Sequence, residues 1–459
     1  ITTILQLLQL AILARFLDPS AFGLMALVTV VIGFSQAFLD MGISNAIIHK
    51  QHITHEQLST LYWVNVLAGI GLFIIVSAIA PAVSHFYAEP ELTALIIIVA
   101  LTFIIQPFGQ QFMVLWQKEM RFSEIAKIDI VNRSVSLVVS VIFAYLGYGV
   151  YALVYGTLAG VMSQTAQFMV LGFKEHKPSF VFRVGDIKEF LGFGAYQMGE
   201  KTINYFNSQI DVLLIGKLLG TEALGIYSIA KQLIMRPAQI VNPIITKVTF
   251  PMMAKIQDDT VKLKNVYLKT INYLSSINFP IYAFLFVFAH EIIMLLFGAK
   301  WSEAVVIVQI LSIYGAVRST GNPIGSLLLA KGKANWGFWW NLGLFFYVPV
   351  GIYISSQWGL EGVSWGLVVI MLSLVVPNWY FLIQKLCHAQ FIEYHRQILI
   401  PALIAIGTGM IIYITVGFIY NVILKFIIGM IAGAVIVYAF NRLWNKNFLV
   451  ELKGLVRRR

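Results

Sequence analysis

Charge is scarce in this chain. Asp, Glu, Lys and Arg make up 12% of its 459 residues, against 59% hydrophobic residues. A soluble fold carries roughly a quarter charged residues, so a water-exposed globule is excluded. Cysteine is almost absent: Cys387 stands alone, which excludes an internal disulfide and a thiolate metal cluster. Nothing matches a phosphate-binding P-loop, a Gly-rich dinucleotide turn or a nucleophile elbow, so ATP hydrolysis by this chain is excluded too. Long polar insertions are also missing, and no loop has the length of an independent soluble domain.

What is present is apolar sequence in bilayer-length runs. Mean hydropathy is +0.81, and runs of about 20 residues, enough to cross a membrane, recur from end to end. Gly, Pro and charge punctuation divides them into about fourteen spans: 1–17, 21–47, 59–83, 92–116, 124–146, 149–172, 189–216, 221–247, 266–290, 302–329, 334–356, 360–385, 397–417 and 421–441. The fold class is therefore all-α, a polytopic membrane protein. The chain opens at Ile1 inside an apolar helix, which reads as a trimmed first span.

Basic residues set the orientation. Of the loop Lys and Arg, only Arg15, Lys217 and Lys300 fall on one side; the others, from Lys50 to the tail Arg459, fall on the other. The basic side is cytoplasmic, the C-terminus included. The net charge of +11 thus reflects topology and gives no reason to expect nucleic acid as a partner.

Two phrases repeat. LARFLDPSAFGLMAL at 13–27 returns as LIGKLLGTEALGIYSIA at 214–230, pairing Arg15 with Lys217 and Gly23 with Gly225 at one interval close to half the chain. YGVYALVYG at 148–156 returns as WGLEGVSWG at 358–366 at a nearly equal interval. Repeated halves of this kind build transporters with a cavity between two lobes. The expected organisation is an N-lobe at 1–172, a cytoplasmic linker at 173–188, a C-lobe at 189–385, two further spans within 386–441, and a basic cytoplasmic tail at 442–459.

Charges at membrane depth cost a few kcal/mol each and normally face a cavity or a partner. On span seven Gln197, Glu200, Lys201, Asn204, Ser208 and Asp211 share one helical face; span five repeats the pattern with Asp129, Asn132, Arg133, Ser136 and Ser140. Gln106, Gln110 and Gln117 align on span four; Gln232, Arg236 and Gln239 on span eight; and Arg318, Asn322 and Ser326 on span ten. Such stripes line a hydrated interior, here of both signs but leaning cationic through Arg133, Lys201, Lys231, Arg236 and Arg318. A cationic lining favours an anionic ligand, and the guanidinium fork suits phosphate groups. Asp211 fits a structural or a functional role equally, and Asp40 reads as structural.

Other signals are weaker. His49, His52 and His55 have a metal-like spacing but no Cys or carboxylate set beside them, so no metal is expected. Gly156/Gly160 and Gly429/Gly433 match a close-packing pattern. Pro107, Pro237, Pro243 and Pro323 lie inside spans and are expected to bend them.

The phrases LARFLDPSAFGLMAL, FLDMGISNAIIHK (38–50), QIDVLLIGKLLGTEALGIYSIA (209–230) and YGVYALVYG resemble bacterial polysaccharide transporters. These are the Wzx-type flippases of the multidrug/oligosaccharidyl-lipid/polysaccharide superfamily, in the exopolysaccharide and colanic-acid exporter branch. The resemblance spans essentially the whole chain. It implies two six-helix lobes in a V shape plus two helices, alternating access, and location in the bacterial cytoplasmic (inner) membrane. It also implies a substrate, an oligosaccharide repeat unit on undecaprenyl diphosphate, and partnership with polysaccharide polymerase or export machinery. Lys201, Arg236 and Arg318, then Arg133 and Lys231, are the cavity positions suited to the diphosphate or acidic sugars, with Asn204, Gln106 and Gln110 as polar companions. No cofactor is implied; proton or sodium coupling is, with Glu200 and Asp211 as candidates.

Two other functions compete. A cation-coupled multidrug exporter of the same architecture should concentrate acids in its cavity, whereas here the deep basic residues at least match the acids. A membrane polymerase, ligase or glycosyltransferase needs a sizeable extramembrane loop, and the longest outside loop, around 291–301, is short.

Overall fold

The computed structural model describes the whole chain except Ile1 and residues 40–43, 45, 46, 49, 51, 183–187, 420, 446, 447 and 449–459; for Ala37 and residues 188–201 it describes the backbone alone. Asp40, His49 and most of the basic tail therefore lie outside the described residues.

The described secondary structure is helical, without strands. In chain order the helices are α1 (Thr2–Phe16), α2 (Pro19–Leu39), α3 (His55–Tyr87), α4 (Glu91–Ile105), α5 (Pro107–Lys118), α6 (Phe122–Tyr145), α7 (Tyr151–Glu175), α8 (Lys188–Leu218), α9 (Gly220–Lys255), α10 (Thr260–Val287), α11 (Ala289–Leu296), α12 (Ala304–Gly321), α13 (Pro323–Ala330), α14 (Ala334–Ser355), α15 (Gly359–Ser373), α16 (Val375–Asn378), α17 (Gln384–Cys387), α18 (Phe391–Val416) and α19 (Val422–Trp444). A π-helical turn, Trp379–Ile383, joins α16 to α17. Each hydrophobic run of the sequence coincides with one of these helices or with a broken series of them. The count of fourteen spans is not reached by length and apolarity alone. Among the described residues eight helices qualify, or nine when the bent pair α4–α5 counts as one span. The polar stripes of α8 and α9 dilute their hydropathy.

Two of the four prolines break their spans. Pro107 and Pro323 each occupy the first turn of a new helix, where a missing N–H costs nothing, and α4 and α5 meet at 52°. Pro237 and Pro243 stay inside α9. Starts are fixed by side chains where the chain leaves the apolar zone. Thr54 and Gln57 form a reciprocal capping box on α3, Asp259 caps α10 and Asn421 caps α19.

By packing, the chain divides into two compact units, Ile1–Gly225 and Ile226–Arg459. Within the first, α6 packs along α7 and α1, and α2 along α8 and α4. The repeated glycines meet there. A Cβ on Gly23 would lie 1.8 Å from the Thr221 carbonyl oxygen, and one on Gly225 would lie 1.8 Å from that of Pro19. The starts of α2 and α9 thus cross with backbone against backbone. Nearby, Lys217 donates to the Phe86 carbonyl at the end of α3. The second unit is organised around α10, which packs on α18 and α12. Beyond its C-terminal end, Lys425 of α19 donates to Glu291 of α11. Gly156 and Gly160 abut Ser140 and Asn132 of α6, and Gly429 abuts Phe288, as the small-residue pattern predicts.

The segment after α7 lies along the start of α3 as a non-helical strap. The carbonyls of Lys177, Ser179 and Val181 accept from His55 Nε2 at 3.1 Å, Trp63 Nε1 at 3.0 Å and Thr60 Oγ1 at 3.3 Å. A carbonyl only accepts, so His55 carries its proton on Nε2. The Ser179 N–H donates to Ser59 Oγ at 3.0 Å. Upstream, Arg121 holds Glu175 at 2.8 Å and sits 4.2 Å from the Trp116 ring centroid.

Two predictions arise here. Gly23→Val or Gly225→Val forces backbone apart at the crossing and should destabilise the protein by about 3 kcal/mol or more, read as a lower Tm or lost monodisperse protein, while Gly71→Ala, where space is open, should leave it unchanged. The second concerns the imidazole of His176, 4.5 Å centroid to centroid from His55. Burial, and then the neighbouring His55, hold it below its ordinary value. A depressed histidine takes its proton more readily once the contact opens, so the strap is most stable above pH ~6.5 and weakens as pH falls through that value. Hydrogen exchange at 176–182, corrected for intrinsic rates, should quicken below that pH, and His176→Phe should flatten the dependence.

Candidate functional site

The second unit encloses a cavity of about 1430 Å³. Its walls come from α9, α10, α12 to α16, the π-helical turn and α18, and are mostly apolar: Phe279, Phe286, Leu344, Leu372, Ile398 and Met410 among others. Into this wall α12 places Arg318, followed one turn later by Asn322. Arg318 Nη1 donates to Tyr314 Oη at 2.7 Å, and the guanidinium lies 5.7 Å from that ring's centroid. An i, i+4 spacing brings the two together on one helical face.

A layer of amide and hydroxyl bonds holds α12 in place. Asn242 Nδ2 donates to the Ser319 carbonyl at 3.1 Å and its Oδ1 accepts from Asn278 Nδ2 at 2.9 Å. Tyr282 Oη donates to the Ile234 carbonyl at 3.1 Å. At Gly315, a Cβ would lie 2.5 Å from Tyr282 and 2.7 Å from Ile234, so the three helices approach as closely as glycine allows. In a membrane interior such polar contacts between helices fix helix position.

The other sequence candidates fall in several places. Arg236 and Lys231 are half-buried on α9; Lys231 Nζ lies 6.0 Å from the Tyr227 ring. The cavity wall takes Met235 and Gln239 from that helix. In the first unit, Gln36 donates to Gln106 at 2.9 Å and Gln106 to Gln110 at 3.4 Å, an amide chain from α2 to the α4–α5 break. Arg133 and Asn204 are exposed, and Asp211 is buried with Oδ1 accepting from the Val212 N–H at 2.9 Å. The Lys201 and Glu200 side chains lie outside the described residues.

The α6 stripe divides. Ser136 and Ser140 are buried and accept from Gln9 of α1 at 3.3 and 3.1 Å, and Asp129 accepts from Gln164 of α7 at 2.9 Å. These polar residues join helices, while Arg133, on the same helix, is exposed. No group of three or more His, Cys, Asp or Glu suited to a metal occurs among the described residues.

Sequence comparison adds what geometry alone does not. A family described as "Polysaccharide biosynthesis protein" matches residues 12–306. The chain belongs to this family. Among curated members of similar sequence, the teichuronic acid biosynthesis protein TuaB of Bacillus subtilis is 33% identical over 90% of this chain and 85% of its own length. The lipopolysaccharide biosynthesis protein WzxC of Escherichia coli is 32% identical over 89% and 83%. Among solved structures, the lipid II flippase MurJ in an inward closed conformation shares the fold, with TM-score 0.78 over 98% of both chains at 14% identity. The all-α membrane architecture read from the sequence is thus that of a known transporter fold.

Residues of α14 to α18 in the wall, such as Asn341, Asn378 and His395, were not singled out from the sequence, because each stands alone in an apolar run. Tyr314 was not singled out either, although its i−4 spacing from Arg318 was the signal that could have found it. Replacing it tests the arrangement: Tyr314→Phe should leave expression and Tm intact and lower transport by about tenfold, the worth of one hydrogen bond to a charged group.

Proposed function

We propose that this family member is a transporter that flips an oligosaccharide repeat unit linked to undecaprenyl diphosphate from the cytoplasmic to the outer leaflet of a bacterial cytoplasmic membrane, for surface polysaccharide synthesis. One observation carries the reading: the cavity of the second unit sets a guanidinium, Arg318, in a large apolar wall whose lining, among the described residues, includes no Asp or Glu. A volume of about 1430 Å³ exceeds the ~300–1,000 Å³ of drug-sized pockets. Its chemistry suits an anionic head on an apolar chain and gives a cationic drug nothing to pair with.

On this reading the repeats at 1–172 and 189–385 work as alternating halves joined by 173–188, with 386–441 and the basic cytoplasmic tail 442–459 as additions. Arg318 binds the diphosphate; Lys201, Arg236, Arg133 and Lys231 supply further positive potential, with Asn204, Gln106 and Gln110 as polar contacts. Glu200 and Asp211 are the acids suited to proton or sodium coupling. The polymerase and export machinery that takes the flipped unit is the corresponding partner.

The test is translocation of a labelled undecaprenyl-diphosphate oligosaccharide in proteoliposomes, read by its accessibility to an external enzyme. Arg318→Gln should slow movement by more than about tenfold, and Arg318→Lys by less, since a charge-assisted hydrogen bond is worth ~1.5–3 kcal/mol. Unchanged movement in Arg318→Gln would remove the role given to this residue. Absence of movement with wild-type protein across several head groups would count against the flippase itself.

A further inference from the structure

The strap along α3 has an outward face. Phe180 is 91% exposed and Phe182 52% exposed, and Phe180 stacks on Trp63 at 4.9 Å and 20°. The polar side of the same segment is turned inward, because the carbonyls at 177, 179 and 181 and the Ser179 N–H are bonded to α3. An extended chain is excluded from apolar surroundings when its backbone groups lack partners. Here α3 supplies them, and alternate residues are released to present aromatic rings. Lys174 and Lys177, both exposed, flank those rings.

Depth follows from α3. At ~1.5 Å per residue its 33 residues span about 50 Å, against roughly 30 Å of hydrocarbon, which leaves on the order of 20 Å for the two interfaces together. Trp63 stands two turns beyond His55, about 12 Å along the axis. Phe180, stacked on it, therefore sits at the boundary of head groups and acyl chains on the basic, cytoplasmic side. Aromatic rings at that level with lysines beside them form an interfacial anchor.

We propose that the strap is a binding site for anionic phospholipid of the cytoplasmic leaflet, with Phe180 and Phe182 entering the acyl boundary and Lys174 and Lys177 holding the head groups. The arrangement fastens the strap at 176–182 to the bilayer as well as to α3. Each lysine near an anionic surface favours contact by several-fold, so the pair enriches anionic lipid on the order of tenfold. The site is separate from the cavity of the second unit, and the argument for it needs only a membrane-spanning chain.

The experiment places one environment-sensitive fluorophore on the strap. Cys387→Ala removes the native thiol, and Phe180→Cys, or Phe182→Cys in a second preparation, carries the label in the otherwise full chain. The protein is reconstituted in phosphatidylcholine vesicles, with or without phosphatidylglycerol, each containing a brominated-chain form of one lipid. Blue-shifted emission, quenched more strongly by brominated phosphatidylglycerol than by brominated phosphatidylcholine, is the expected result, and Lys174→Gln with Lys177→Gln should abolish that preference. Equal quenching by both lipids overturns the anionic site. Water-like emission without quenching at both positions overturns the bilayer contact, as does a label shielded from aqueous iodide yet untouched by brominated lipid, which marks a protein partner instead.

Discussion

A bilayer interior offers no hydrogen-bond partners, and the polar stripes of this chain answer to that constraint. Helices satisfy the backbone; side chains must find each other. The α6 stripe shows the consequence. Ser136, Ser140 and Asp129 accept from glutamines on α1 and α7, so a face that looks hydrophilic in sequence becomes the seam of three helices. The same rule fixes α12 through Asn242, Asn278 and Tyr282. Polar residues in such a fold either join helices or face a cavity, and the sequence pattern alone does not separate the two.

Glycine does the complementary work. Where α2 and α9 begin, Gly23 and Gly225 remove the side chains that would keep the two backbones apart. That gives the repeated Ala-x-Gly phrase a physical meaning: the same turn in both repeats must end in a residue small enough to lie on its counterpart. Dispersion between backbones at that distance replaces the hydrophobic driving force that lipid surroundings remove. The repeated basic residue also has a local task at Lys217, which donates to the Phe86 carbonyl in the last turn of α3.

Much of the helical layout was legible because bilayer-length apolar runs admit little else. The breaks at Gln106–Pro107 and Asn322–Pro323 were signalled by the prolines themselves. The candidate site was legible only in part. Arg318 stood out as a charge in an apolar run; its neighbour Tyr314 did not, although helical spacing sets it one turn away. The remainder of the wall did not, since Asn341, Asn378 and His395 become neighbours of the cavity only through the packing of α14 on α13 and α15, of α15 on α12 with α16 continuing from it, and of α18 on α10. Helical periodicity names a face; it does not name what the face meets. The strap after α7 was likewise illegible, because its order comes from α3 hydroxyls and rings and not from its own propensity.

Why an arginine stands in the cavity wall follows from the balance of costs. A membrane-depth charge is unfavourable by a few kcal/mol on insertion scales, and a lysine, flexible and easily neutralised by desolvation, meets that cost by shedding its proton. Guanidinium keeps its charge and offers donors in a fixed plane that match the paired oxygens of a phosphate. The Tyr314 hydroxyl and ring hold that plane in one orientation, so little freedom remains to be lost when an anion arrives. Apolar walls on the adjoining helices then sharpen the attraction, because the same charge acts further in a medium of low polarity. A rigid fork in an apolar wall is thus selective for a group that brings both negative charge and an apolar tether, since a free inorganic anion gains the fork but nothing from the wall.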